Sequence, residues 1–456
     1  MEWKMGAAAA VLLVALAGLA YLPGQSDFFW ILALYVPAFL GYLWICRHAA
    51  RVPLPALLGL ALLLRLLLLP AMPQLSDDIY RFVWDGRLWL NGINPFEHTP
   101  TYYHGLAAPP PGLDDALYER LNSPAYFTIY PPVAQAIFAF SCWLSPNSVY
   151  GSAVVMKAIL FLSDVGMVAV LPALLRHLGL PPARSLWYLL NPLLIVESAG
   201  NLHFEGLMVF FLALSLWLLL QRKWAWSALS MSLSIATKLL PLLFLVFLIR
   251  RLGWRRSLAY FGGVGVLLLL LFAPLLSEAF LRGFGSSLDL YFCRFEFNGS
   301  VYYLLRWAGY QLAGYNAIAQ IGPLLGLGTF IGIMGMAVWD GLRNPWPQRG
   351  QPEASSGGWT KRLADGLAPL SLAAITLYLA LATTVHPWYL ALPLFWCTFT
   401  PFRYPVLWSG LVVLTYANYM GAAYHEYLGL VALEYMAVAA FGWWELQTKK
   451  RYAKPS

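Results

Sequence analysis

Apolar stretches recur from one end of this chain to the other, near residues 6–22, 28–45, 54–70, 129–145, 152–175, 185–200, 206–221, 226–249, 257–277, 316–339, 366–384, 388–402, 405–421 and 428–445. A helix rising about 1.5 Å per residue needs about 20 apolar residues to cross a hydrocarbon core roughly 30 Å thick. Only 11% of the residues are charged, whereas a soluble domain carries roughly a quarter. The surface must therefore face lipid. The expected fold is all-α, a polytopic transmembrane helical bundle of about 11–14 hydrophobic segments, forming one integral membrane domain over residues 1–456.

Formal net charge is +8, but the basic residues sit in short clusters between apolar runs. That pattern follows the positive-inside bias and argues against a nucleic-acid partner. It makes Lys4, Arg47–Arg51, Arg222–Lys223, Arg250 to Arg256, Arg343 to Arg362, Arg403 and Lys449 to Lys454 cytoplasmic. The intervening loops 71–128, 197–205, 278–315, 385–388 and 422–427 are then extracytoplasmic. A Pro-, Gly- and Ser-rich stretch within 341–362 reads as a cytoplasmic linker. The four cysteines are far apart and expected to be unpaired. The start resembles a signal peptide without a cleavage site, so an uncleaved first helix is expected.

Two places strain this alternation. Segment 226–249 lies between two basic loops, so it should cross an even number of times; a hairpin of two half-helices with Lys238 near the outer tip meets that need. The stretch Arg176 to Arg184 falls outside if 129–145 and 152–175 are both full spans.

The densest chemistry is in Ser76 to Pro95, SDDIYRFVWDGRLWLNGINP. Two adjacent carboxylates, Asp77 and Asp78, can provide a general base, hold a metal or bind sugar hydroxyls. Arg81 and Asp85 are spaced i,i+4, which predicts an amphipathic helix along the membrane surface. The other external segments add Tyr130 before two prolines, then Asn191, Glu197, Asn201, His203 and Glu205. Lys238 follows, then Arg294, Glu296, Asn298, Tyr302 and Tyr303, then His386, Trp388 and Tyr389, and finally His425 and Glu426. Ionisable groups at membrane depth are costly and usually face a cavity. On this topology nearly all face one side, which points to a single extracytoplasmic site.

Each residue has a plainer alternative. His203 and His386 can be neutral histidines satisfied by backbone carbonyls. Glu197 and Glu205 can pair with Lys157 or Lys238 to fix packing, and Lys157 with Asp164 reads as a structural pair on one helix face. Asp289 and Arg294 can be plain loop charges. Trp84, Trp89 and Trp388 can stack on sugar faces or belong to an interfacial belt.

Taken in order, SDDIYRFVWDGRLWLNGINPF, YPPVAQ, the NP…E…GN.H.E cluster, ATKLLP, FEFNGSVYYL and TVHPWYL resemble membrane glycosyltransferases of the GT-C superfamily. The likeness is to family 87-like and polyprenyl-phosphate-mannose-dependent mannosyltransferases, and it covers roughly residues 60–400. The resemblance implies a lipid-linked sugar phosphate donor, an extracytoplasmic site and a glycan or glycolipid acceptor in the cell envelope, in a bacterial inner membrane. It maps the acidic motif onto Asp77 and Asp78, either of which could be the base. Lys238, Arg81 and Arg294 are candidates for the donor phosphate, and Trp84, Asp85, Tyr130, Glu197, Asn201, His203, Glu205, Glu296, Asn298, His386, Trp388 and Tyr389 for substrate contacts. No metal ligand is assigned: no cofactor is required chemically, though two acids can bind a divalent metal. Two extra hydrophobic segments precede the acidic loop, outside the resemblance.

The competing class is a secondary transporter or glycolipid flippase, which would use the same charges as a substrate path. The missing internal repeat and the long first loop count against it. An O-antigen-ligase-like enzyme with a diphosphate-linked donor is a third reading, and a structural scaffold the weakest.

Overall fold

The structure, a computed structural model, describes residues 2–343, 356–421 and 423–452. The middle of the linker expected within 341–362, and Lys454 of the basic tail, lie outside the described residues. The chain opens with α1 (Glu2–Tyr21), α2 (Phe28–Arg47), α3 (Leu54–Leu68), α4 (Asp78–Leu90), α5 (Pro132–Leu144) and α6 (Val149–His177). Short helical pieces over 182–200, ending in a π-helix at Ile195–Gly200, lead to α7 (Glu205–Leu220). Next come α8 (Trp224–Thr237), α9 (Leu242–Leu252), α10 (Trp254–Phe272), α11 (Glu278–Cys293), α12 (Val301–Ala313) and α13 (Ile318–Arg343). The described residues end with α14 (Ser356–Ala364), α15 (Leu367–Leu381), short helices over 387–419 and α16 (Leu428–Tyr452). No strand forms among the described residues; an isolated bridge pairs Phe297 with Thr384. The all-α expectation holds, and the four cysteines are free.

Among the described residues, five helices are long and apolar enough to cross a membrane: Trp3–Tyr21, Phe28–Arg47, Val149–His177, Trp254–Phe272 and Ile318–Arg343. A sixth arises if Pro192–Gly200 and Glu205–Leu220, bent by 110°, count as one span. Helix α10 turns Leu258, Val266, Leu269 and Leu270 outward. This is what a helix does when lipid is its solvent.

Contacts between distant loops sort them onto two ends. At the basic end His177 Nε2 lies 3.1 Å from Thr360 Oγ1, and Trp359 Nε1 donates to the Leu219 carbonyl at 3.1 Å. There Arg250 and Arg251 both grip Asp340 at 2.9 Å. At the opposite end Tyr150 donates to the Pro70 carbonyl at 3.0 Å. Helix α6 therefore starts beside residue 70 and ends beside residue 360.

This settles one strain and corrects one segment. Arg176 to Arg184 belong to the basic end, because residues 129–145 do not cross. Helix α5 instead pairs with α4: Phe82 stacks on Phe138 at 4.5 Å, and a Cβ on Gly86 would lie 2.5 Å from the Phe138 carbonyl oxygen. Helix α4 also departs from the surface helix expected of it. Arg81 and Asp85 neutralise each other at 2.9 Å, and both are buried, so the helix packs within protein on every face. The strain at 226–249 resolves as expected. Helices α8 and α9 break over Lys238–Pro241; α8 starts with Trp224 against Trp359 and α9 ends at the Asp340 grip, so Lys238 sits at the far end.

Candidate active site

The turn after α3 is held from beneath. Lys157 Nζ bonds the carbonyls of Leu68 at 3.0 Å and Ala71 at 2.5 Å. The Lys157–Asp164 pair does not form: seven residues along a helix is about 10 Å, and Asp164 meets Arg65 at 2.8 Å instead. From this turn the chain reaches Asp77 and Asp78, and the two acids are placed unlike one another. Asp78 is pinned. Its oxygens accept from Asn122 Nδ2 at 2.9 Å and the Tyr130 hydroxyl at 3.0 Å, with His203 Nε2 at 3.8 Å. Asp77 is open to solvent on one side, and its carboxylate has no hydrogen-bond or ion-pair partner among the described residues. Partial burial, with the Asp78 charge next to it, raises its pKa above the ordinary carboxylate value.

Behind Asp78 the π-helix gathers three predicted residues. The extra residue per turn, followed by Leu202 at φ 64°, turns Glu197, Asn201 and His203 toward one point. Such π-turns frequently occur at functional sites. Glu197 Oε2 lies 2.9 Å from His203 Nδ1 and accepts from Asn201 Nδ2 at 3.2 Å, while Oε1 accepts from the Tyr416 hydroxyl at 2.9 Å. A carboxylate only accepts, so His203 donates to it from Nδ1–H and turns Nε2 toward Asp78.

An aromatic wall faces the acids. Trp388 stacks on His203 at 3.5 Å and on His386 at 4.4 Å, Phe297 stacks on His386 at 4.7 Å, and Tyr389 meets His386 edge-on at 5.4 Å. Burial pushes the His386 pKa down to about 3 and keeps the ring neutral. The Lys238 side chain returns from the α8–α9 break, its Nζ 2.5 Å from Glu205 Oε1 and 5.8 Å from the centre of the Tyr130 ring. Between acids and wall lies a cavity of about 160 Å³, lined by Asp77, Asp78, Asn122, His386 and Trp388 among others.

Other predicted residues lie elsewhere. Arg81 is occupied by Asp85 and by the carbonyls of Ser123 and Tyr126, and Asp85 also accepts from Thr128 at 2.5 Å and Gln135 at 3.0 Å. Trp84 is buried and Trp89 donates to Gln135. Arg294 is exposed and paired with Asp289 at 3.0 Å. Glu296 joins a separate network with Tyr302, Asn316 and Arg306, whose guanidinium also reaches Glu426 at 2.7 Å. Asn298 bonds Glu434 at 3.2 Å. Sequence reasoning missed Asn122, Tyr416, Tyr419 and Gln25, the last three also cavity-lining. Asn122 and Gln25 carried a weak signal as loop amides; two tyrosines inside an apolar segment carried none. Among the described residues no group of three or more His, Cys, Asp or Glu side chains is arranged to hold a metal ion.

Fold and pocket together define a polytopic helical membrane protein with an acid-and-aromatic site at the end opposite its basic loops. The family profile described as alpha-(1->6)-mannopyranosyltransferase, N-terminal domain, matches residues 6–253, just over half of the chain, and the chain belongs to that family. Alpha-(1->6)-mannopyranosyltransferase A of Mycobacterium tuberculosis is 25% identical over 217 residues, which is 45% of this chain and 40% of that protein. The protein of that name from Corynebacterium glutamicum is 25% identical over 188 residues, 39% of this chain and 35% of its own. Each match thus spans less than half of the relative's length. The resemblance to membrane mannosyltransferases holds, and it reaches further forward than residue 60. Helices α1 and α2, whose connecting loop supplies Gln25 to the cavity, fall within the family match.

Proposed function

We propose that this chain transfers a hexose, most simply mannose, from a polyprenyl-phosphate donor to a cell-envelope glycan or glycolipid on the extracytoplasmic side. One observation carries the reading: Asp77, a carboxylate without a partner among the described residues, opens on a small cavity beside a second carboxylate that is pinned in place. A cavity of about 160 Å³ lies below the roughly 300 Å³ at which drug-sized pockets begin, which suits one sugar ring with its lipid outside. The acid-rich end is opposite the basic loops, which the positive-inside bias places in the cytoplasm.

In this reading the acceptor hydroxyl enters beside Asp77. Its oxygen attacks the anomeric carbon, its proton passes to the Asp77 carboxylate, and the bond from that carbon to the phosphate oxygen breaks. General-base help of this kind contributes typically about 10²–10⁴-fold. Asp78, held by Asn122 and Tyr130, orients the sugar or acceptor and keeps the Asp77 pKa raised. The electron pair leaves on the lipid phosphate, where Lys238 supplies the fixed positive charge that such a step needs. Trp388 and His386 line the cavity with their ring edges, since each is stacked between two other rings. Phosphate is a good leaving group, so no step uses a metal. A single displacement inverts the anomeric centre; a β-linked donor then gives an α-linked product, the anomer in the relatives' names.

Purified protein incubated with radiolabelled polyprenyl-phosphate mannose and a panel of envelope glycolipids tests this. Label should move to at least one acceptor, and nucleotide-linked mannose should not substitute as donor. Proton- or sodium-driven uptake into vesicles, without transfer from any lipid-linked sugar, would replace this reading with a transporter.

A further inference from the structure

We infer that Glu205 makes the phosphate subsite select by charge, accepting a singly charged phosphodiester and rejecting a doubly charged phosphomonoester; this rests on the lipid-phosphate reading above. Glu205 is the more deeply buried of the pair, with 3% of its side chain exposed against 18% for Lys238, and the two are 2.5 Å apart. Among the described residues neither Glu205 oxygen has a hydrogen-bond partner beyond that ion pair. Glu205 opens α7, whose N-terminal dipole offsets part of its charge, but burial leaves little solvent to screen the carboxylate from the lysine. The other cations expected at the phosphate are engaged elsewhere, Arg81 by Asp85 and Arg294 by Asp289. An incoming phosphate therefore meets one lysine whose charge is already offset, with Asp78 beyond the Tyr130 ring on which that lysine lies.

The chemistry of the reaction gives this arrangement a purpose. The donor is a phosphodiester with one negative charge. When the bond from the anomeric carbon to the phosphate oxygen breaks, the product is a phosphomonoester carrying about −1.5 to −2 at neutral pH. A lone lysine would hold that product more tightly than the donor and stall the enzyme. The Glu205 carboxylate offsets the lysine, and with Asp78 beyond Tyr130 the summed charge is negative, so the second phosphate charge is repelled and the preference reverses. A donor linked through a diphosphate, with its additional charge, is disfavoured on the same ground.

The test is equilibrium binding of two lipids to the detergent-purified full chain at pH 8: polyprenyl phosphate, and its methyl ester as a stand-in for the diester donor. Wild type should bind the methyl ester more tightly than the free monoester. Glu205→Gln should bind the monoester about tenfold more tightly than wild type and the methyl ester only about threefold, as two charges against one require, and Glu205→Asp should keep the wild-type order. A wild type that prefers the monoester overturns the inference without recourse to any variant, and so does a Gln variant that shifts both lipids alike or neither. Failure of the wild type to bind either lipid is a different result: it removes the lipid-phosphate reading itself.

Discussion

Asp77 and Asp78 are neighbours in sequence with opposite surroundings. The sequence marks the pair, but nothing local says which acid is free to act. The distinction comes from Asn122 and Tyr130, 44 and 52 residues away, which both choose Asp78. Arg81 shows the converse. Its i,i+4 spacing to Asp85 is plain in the sequence, and the resulting pair is what removes it from the cavity: two buried charges satisfy one another before any ligand arrives. At this scale the raised Asp77 pKa has a kinetic consequence. A base works only when deprotonated, so kcat/KM should fall as pH drops through its pKa. Because burial and Asp78 raise that value, the acid limb should lie above the ordinary carboxylate pKa of about 3.9. The pH–rate profile of Asp78→Asn, which removes the neighbouring charge, should have its acid limb shifted downward. An unshifted limb would assign that ionisation to another group.

Among elements, α4 and α5 are the least legible in the sequence. Segment 129–145 is apolar enough for a span, and hydropathy cannot tell a helix packed within protein from one in lipid. Its role becomes visible only through α4, where Gly86 allows close approach and Asp85 ties Thr128 and Gln135 to Arg81. The break at Lys238–Pro241 is legible, because a charge followed by a proline inside an apolar run interrupts a helix where it lines a cavity. The π-helix is not, since no composition rule separates it from an ordinary turn. The Arg81–Asp85 clasp predicts a stability effect. Asp85→Ala leaves a buried guanidinium without its counter-ion, which costs about 3–5 kcal/mol, and should lower the midpoint of thermal unfolding in detergent. A midpoint within error of wild type would mean that Arg81 is not confined as described.

For the whole molecule, fold class and the gathering of polar residues at one end follow directly from composition and loop charge. The second polar network, around Arg306, is legible only as scattered loop charges; α12, the 296–298 turn and Glu426 meet through the fold, not through spacing. Sidedness follows from two chemically different ends. A cysteine at exposed Ala108, on the acidic-loop end, should react with a membrane-impermeant maleimide in intact cells. One at exposed Lys361, beside Thr360 and the basic clasp, should react only after permeabilisation. The reverse pattern would invert the topology and put the site in the cytoplasm.

The most direct test of the central claim is a comparison of wild type with Asp77→Asn, measuring turnover of the lipid-phosphate donor and equilibrium donor binding on the same folded samples. If Asp77 is the base, the variant should bind donor within about twofold of wild type and lose about 10²–10⁴-fold in kcat. Wild-type turnover in Asp77→Asn, with activity abolished in Asp78→Asn instead, would contradict the account and move the base to the pinned acid.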